Sequence, residues 1–313
     1  MKIGLDAIGG DFAPIAAITG AKLAIQQLPD DASIVLFGPK NAIISEIESQ
    51  GIDQSIFEIV DAPELIEMGE HPTKAMTNKL DSSIVQGFKY LKEKKIQSFC
   101  GAGNTGAMHV GAMFTIKAIE GIIRPGIAGF VPKESGDFGI LIDIGANADC
   151  RPDVLLQFGE IGSVYSKHVF GIENPKVGLI NLGEEEQKGT LNTQAAYQLF
   201  KLSKRINFIG NIEGRDLFND KADVMVCDGF TGNVILKLIE SFYDLMIRRD
   251  IKNDYFDRFD YEAIGGSPVL GINGNVVIGH GVSNEVAIKN MIILAYRMAE
   301  SNIYHKIKEA FSD

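Results

Sequence analysis

Gln97-Ser98-Phe99-Cys100-Gly101-Ala102-Gly103-Asn104-Thr105-Gly106-Ala107 reads as a strand, a glycine-loosened turn and the start of a helix. A short apolar run that stops at turn residues and restarts with helical period is one half of a βαβ unit. The same alternation extends in both directions. Strands are predicted over residues 2–5, 33–37, 56–60, 97–100, 138–143, 176–181, 205–209, 223–227 and 275–278. Between them, amphipathic segments over 15–28, 82–95, 107–118, 152–169, 192–201, 233–249 and 285–301 predict helices. Strands separated by helices imply an α/β fold, a mostly parallel sheet flanked by helices. No linker rich in Pro, Gly or Ser divides the chain, so residues 1–313 are expected to form one catalytic unit with two lobes around a cleft.

Open α/β sheets carry their working groups on the loops at the carboxyl ends of the strands. Here those loops are rich in Gly, Asn and Asp: Asp6-Ala7-Ile8-Gly9-Gly10-Asp11, Gly103-Asn104-Thr105-Gly106-Ala107, Asp143-Ile144-Gly145-Ala146-Asn147 and Asp228-Gly229-Phe230-Thr231-Gly232-Asn233. Glycine lets backbone N–H groups approach an anion, and a helix start adds about half a positive charge. Asn and Thr add donors without bulk. A plain βα turn also favours Gly and Asn, but two such loops on one sheet edge argue for a phosphate or oxyanion cradle.

Several function classes fall away. The chain carries 41 acidic against 30 basic residues, a net charge of −11, which opposes nucleic-acid binding. Cys100, Cys150 and Cys227 are isolated in sequence, so neither disulfides nor a zinc site is expected. No metal and no cofactor is expected. There is no GxxxxGK[ST] run, no GxGxxG after the first strand, no GxSxG elbow and no HExxH. Residues 1–6 read directly into a strand, so no signal peptide is expected. The uncharged stretches 96–116 and 263–284 are interrupted by Gly, Asn and His and are not expected to span a membrane.

Among single residues, His280 lies in the glycine-flanked run Gly279-His280-Gly281, as a site imidazole or a structural one. Lys188 closes the run Glu184-Glu185-Glu186-Gln187-Lys188 between Gly183 and Gly189. It is either a solvated charge or an ammonium aimed inward. Arg151 offers an anion contact or a surface charge. The polar stretch 248–261 mixes charge with aromatics, as an exposed hairpin, a partner-docking face or a solvated connection.

The ordered set of loops, together with Gly178-Leu179-Ile180-Asn181-Leu182-Gly183-Glu184, Phe208-Ile209-Gly210-Asn211-Ile212-Glu213 and Gly265-Gly266-Ser267-Pro268, resembles the PlsX-type phosphate acyltransferases of bacterial phospholipid synthesis. The resemblance spans residue 6 to about residue 284. It implies a two-lobed fold like that of isocitrate and isopropylmalate dehydrogenases, and a homodimer. It also implies transfer of a long-chain acyl group from acyl carrier protein to inorganic phosphate. The acyl phosphate would pass to a membrane glycerol-phosphate acyltransferase, from a cytoplasmic enzyme or one peripheral at the inner face of the cell membrane. A phosphotransacetylase-like enzyme using an acyl-CoA is the alternative.

By the same resemblance Lys188 and Asn233 are the catalytic residues. Asn104, Thr105 and Gly106 are expected to hold phosphate; Asp6, Gly10, Asn147 and His280 complete the phosphate and substrate set. Arg248, Arg249 and Lys252, with Arg258, are the expected docking patch for the acidic carrier protein. Many relatives carry a longer, more apolar and basic hairpin after Arg249 than this chain does. Ile8 stands where Met is common, a swap that conserves volume.

Overall fold

The computed structural model describes residues 1–312. The chain divides into two compact units: Met1–Lys117 with Tyr261–Tyr304, and Ala118–Asp260 with His305–Asp313.

In the first unit the strands are β1 (Lys2–Asp6), β2 (Ser33–Gly38), β3 (Phe57–Asp61) and β4 (Ser98–Gly101). The second unit contributes β5 (Gly126–Pro132), β6 (Phe138–Ile142), β7 (Lys176–Ile180), β8 (Asn207–Ile212) and β9 (Val224–Val226). The chain then returns to the first unit for β10 (Ser267–Leu270) and β11 (Asn275–Ile278).

The first unit's strands run in the order β3-β2-β1-β4-β11-β10. All of these neighbours are parallel except the β10–β11 hairpin, where Ser267 faces Ile278. The buried strand faces read Ile3, Leu5, Val35, Leu36 and Phe99, the near-continuous apolar runs of a sheet covered on both sides. Phe99 sits at the centre of an aromatic stack, with ring centroids 5.1 Å from Phe88 and 5.8 Å from Phe37 in edge-on geometry.

The second unit runs β5-β6-β9-β7-β8, again parallel except for the β5–β6 hairpin. Leu141, Ile212, Met225 and Cys227 form its core on one face. At the amino edge of β9, buried Lys133 pairs with Asp223 at 2.8 Å, and Asp223 also accepts the N–H of Lys176.

The α/β class and the mostly parallel sheet stand as expected. The strands that escaped sequence reading are β5 and β10, the antiparallel partners. Each contains glycine or proline (Gly126, Gly129 and Pro132; Pro268), residues that lower strand propensity.

Among the boundaries that move, two bear on the strand-end loops. The helix expected from residue 107 begins at Thr105 and, after Val110, continues as a π-helical turn over Gly111–Ile116. The helix expected from residue 233 begins at Gly229 and runs to Arg248. Gly229 and Gly232 are therefore helical. A Cβ on Gly232 would lie 1.9 Å from the carbonyl oxygen of Asp143, so glycine is there for close packing rather than for loop freedom.

Candidate functional site

In the first unit, β1, β4 and β11 are adjacent and parallel, so the loops at their carboxyl ends lie side by side. Asp6, the last residue of β1, is buried beneath them. A Cβ on Gly9 would lie 2.2 Å from Asp6 Oδ2 and 2.7 Å from Gly103, so both loops close over the carboxylate through bare backbone. Gly10 takes φ +104°, a left-handed conformation suited to glycine, and the next N–H, from Asp11, donates to Gly281 O at 2.7 Å. Asp6, Gly10 and the 279–284 loop carrying His280 are thus brought together. Burial pushes the Asp6 carboxyl up from its ordinary 3.8 to about 6, against hydrogen bonds from Ser83, Ile8 and Gly9 that pull it down.

The turn at 103–107 belongs to the same cluster, with a division of labour. Asn104 is buried and its side chain is fully engaged. Oδ1 caps the helix by accepting from Ala107 N–H, and Nδ2 lies 2.9–3.1 Å from the carbonyl oxygens of Glu67, Met68 and Glu70. Asn104 therefore anchors the 67–70 loop. Thr105 is exposed in the first helical turn, and Gly106 packs on Pro72.

The second unit has its own cluster at the carboxyl edge of β6, β9 and β7. Asp143 is fully buried. Its carboxylate accepts from the backbone N–H groups of Ile127, Gly145, Ala146 and Asn147, and from Asn147 Nδ2. Asn147 also donates to Pro125 O, so it shapes the loop. The 229–248 helix starts against this loop, with Gly229 N–H donating to Asn147 O at 2.8 Å. Asn233 is exposed one turn in, and a Cβ on Gly145 would lie 3.7 Å from its Oδ1.

Lys188 follows β7, the neighbour of β9. Its loop is pinned by Asn181, whose Nδ2 donates to Lys188 O at 3.0 Å, and its side chain runs along Gly183. Two of the three glutamates before it are engaged elsewhere, Glu184 with Lys221 at 2.6 Å and Glu186 with Lys201 at 2.9 Å, while Glu185 Oε2 lies over Gly183 on the same side as the Lys188 side chain. None of the ion pairs found among the described residues uses Lys188, which is exposed. Lys188, in the loop after β7, and Asn233, in the helix after β9, thus follow adjacent parallel strands. Glu184, Glu213 and Asp216 approach one another closely enough for a cation, but the Lys221 ammonium already bridges Glu184 and Asp216.

Other candidates separate from these clusters. Arg151 forks onto Asp153 of its own helix. Arg248, Arg249 and Lys252 are exposed at the far end of the long helix, with Lys252 beside Asp250 at 3.2 Å. Arg258 leaves the docking patch: its guanidinium donates to Asp137 O and Lys133 O and stacks over Phe138. The 255–259 segment is held by edge-on contacts of Tyr255, Phe256, Phe259 and Phe218, so it is a packed strap rather than a free hairpin.

Sequence reasoning did not single out Asp143 by itself. It also passed over a cavity of about 280 Å³ between the ends of β7 and β9, rimmed by Thr190, Thr193 and Thr231. A threonine directly before a helical pattern, as at Thr190, was the available signal.

A family described as fatty acid synthesis proteins matches residues 1–306. The phosphate acyltransferase of Caldicellulosiruptor saccharolyticus is 43% identical, with 99% of this chain and 98% of that protein covered. That of Dictyoglomus turgidum is 42% identical, with 100% and 98% covered. A phosphotransacetylase from Streptococcus pyogenes shares the fold at a TM-score of 0.69 and 15% identity, covering 96% of this chain and 94% of that one. A 4-hydroxythreonine-4-phosphate dehydrogenase from Klebsiella pneumoniae does so at 0.60 and 12%, covering 96% and 97%. With a family match over nearly its whole length and relatives above 40% identity from end to end, the chain belongs to the phosphate acyltransferase family of fatty acid and phospholipid synthesis.

Proposed function

We propose that this chain transfers a long-chain acyl group from the thioester of acyl carrier protein to inorganic phosphate. A phosphate oxygen attacks the thioester carbonyl, the C–S bond breaks, and the departing thiolate takes the proton that hydrogenphosphate gives up. Acyl phosphate and free carrier thiol result. Phosphate is already anionic at neutral pH, so it needs placing rather than deprotonation, and no Ser-His-Asp constellation is required.

The observation that carries this reading is that Lys188 and Asn233 follow β7 and β9, adjacent parallel strands, at the carboxyl edge of the second unit. Lys188 neutralises charge on phosphate or on the oxyanion, and Asn233 donates to the thioester oxygen. Thr105 and the backbone of Gly106 serve phosphate. Asn104 serves it indirectly, because its carboxamide is engaged. His280 orients phosphate, Asp6 and Gly10 set the loop beside it, and Asn147 holds the Asp143 loop under Asn233.

The assembly belongs to the same reading. Phe230, Val234, Leu238 and Phe242 recur every four residues on the 229–248 helix, each more than half exposed, while Ile235, Leu236 and Ile239 pack inward. An uncovered apolar stripe of this length favours a second copy, hence a homodimer. Arg248, Arg249 and Lys252 close the stripe with positive charge, suited to the acidic carrier or to an anionic lipid surface. Among the described residues no helix is long and apolar enough to cross a membrane. A peripheral position at the inner face of the cell membrane, handing acyl phosphate to a membrane glycerol-phosphate acyltransferase, fits this.

The test is incubation of palmitoyl-carrier protein with enzyme, with and without phosphate. Free carrier thiol should appear only with phosphate, and palmitoyl-CoA should be the poorer donor. Thiol release without phosphate, or a preference for the CoA thioester, overturns the reading in favour of a hydrolase or a phosphotransacetylase.

A further inference from the structure

The cavity between the ends of β7 and β9 has two kinds of wall. Leu155, Leu179 and Ile180 supply an apolar floor, while Thr190, Asn192, Thr193 and Thr231 supply hydroxyl and carboxamide groups around it. Two helices begin at its rim, 191–202 and 229–248, which at first sight suits an anion.

Three observations oppose that assignment. The helix-start N–H groups nearest the rim are already taken, Thr193 N by Thr190 Oγ1 and Thr231 N by Asp228 Oδ1. The lining carries two carboxylates, Asp149 and Asp228, and no lysine or arginine. Moreover, the neighbouring thiols feel a medium hostile to negative charge. Burial, with Asp143 and Asp228 adding to it, pushes Cys150 up to about 12, and burial with the same two aspartates raises Cys227 as well.

A ligand suited to these walls is neutral, slender, and alternates short apolar links with groups that hydrogen-bond. The Thr190 and Thr193 hydroxyls are engaged with each other's turn, Thr193 Oγ1 donating to Thr190 O at 3.0 Å, so a hydrocarbon chain would leave the Thr231 hydroxyl unused, and phosphate would meet two carboxylates. We propose that this cavity receives the neutral diamide arm that tethers the donor thioester to its carrier, with the Thr231 hydroxyl of its lining serving one of the amides. The inference rests on the thioester-donor reading above and adds where the arm goes. Lys188 and Asn233, which flank β7 and β9 in sequence, would then meet the thioester as it emerges.

The experiment uses pantetheine, the arm alone, titrated calorimetrically into the full chain without phosphate. It is followed by steady-state kinetics with palmitoyl-pantetheine and phosphate. Thr231→Val removes one hydroxyl at nearly constant shape. It should weaken pantetheine binding and raise KM for the acyl-pantetheine by about tenfold each, the size of one lost hydrogen bond to a neutral partner, with KM for phosphate unchanged. Thr231→Ser should restore both, and thermal melting of the three proteins shows whether each is folded. Pantetheine binding that is indifferent to Thr231→Val, or a phosphate KM that rises in step, overturns the proposal. So does displacement of pantetheine by phosphate alone. Failure of the donor reading appears differently, as a wild-type chain that releases no thiol from palmitoyl-carrier protein in phosphate.

Discussion

Asn147 donates both its backbone and its side-chain N–H to Oδ2 of Asp143, at 2.7 and 3.0 Å. Three further backbone N–H groups converge on the other oxygen of that carboxylate. The pair fixes the turn on which the long helix is seated, through Gly229 N–H on Asn147 O. Asn147→Leu keeps the side chain's bulk but removes one donor to Asp143 and the donor to Pro125 O. The expected loss is about 2–4 kcal/mol of unfolding free energy, the sum of a charge-assisted and a neutral hydrogen bond with a stranded carbonyl. Urea denaturation measures it, and an unchanged midpoint would contradict the role.

Lys188 and Asn233 should behave as chemistry rather than as scaffold. Both side chains are exposed at the carboxyl edge, so Lys188→Ala and Asn233→Ala should leave the melting temperature nearly unchanged. Each should lower kcat about 100-fold, the usual scale for removing one group that stabilises a developing oxyanion. Near-wild-type kcat in both would remove the pair from the mechanism.

How far these residues were legible in sequence depends on where each side chain spends its hydrogen bonds. Apolar runs ending in Gly-, Asn- and Asp-rich loops marked the parallel strands, because period and turn chemistry are local. Asn104 was legible as a polar residue in a strand-end loop but not as an anchor. Its partners, the carbonyls of residues 67–70, lie more than 30 positions away. Gly229 and Gly232 read as loop because glycine disfavours helix locally, and the reason for them, the backbone of residues 143–147, is tertiary. Strands β5 and β10 failed for a related reason: glycine and proline lower strand propensity locally, while what holds β10, its pairing of Pro268 with Val277, is a contact with another strand.

Asp6 predicts a pH dependence of stability. Its folded value, raised by burial to about 6, lies above the unfolded 3.8, so the folded state holds that proton more tightly. Its contribution is therefore complete below about pH 4 and is lost as pH rises from about 4 through about 6. Above that window the buried charge costs up to about 3 kcal/mol relative to a neutral side chain. Asp6→Asn should flatten this part of the curve, with its advantage over wild type growing between about pH 4.5 and about pH 7. Urea midpoints across that range decide it, and parallel curves for the two proteins would defeat the assignment.

Asn104 separates anchoring from ligand binding, because two substitutions there give different signatures. Asn104→Ala frees the helix cap and the three carbonyls of the 67–70 loop. That loop should then exchange its amide hydrogens at least about tenfold faster, matching the loss of about 1.4 kcal/mol or more of local stability. Asn104→Asp keeps the cap, since a carboxylate still accepts from Ala107 N–H, but turns the remaining oxygen toward three carbonyl oxygens. It should release the loop at least as fully as alanine while preserving the 105–110 helix. If the side chain instead held phosphate directly, both variants would raise KM for phosphate with exchange in residues 67–70 unaltered. Hydrogen exchange read by mass spectrometry, beside the phosphate KM, distinguishes the two, and the geometry requires that exchange respond first.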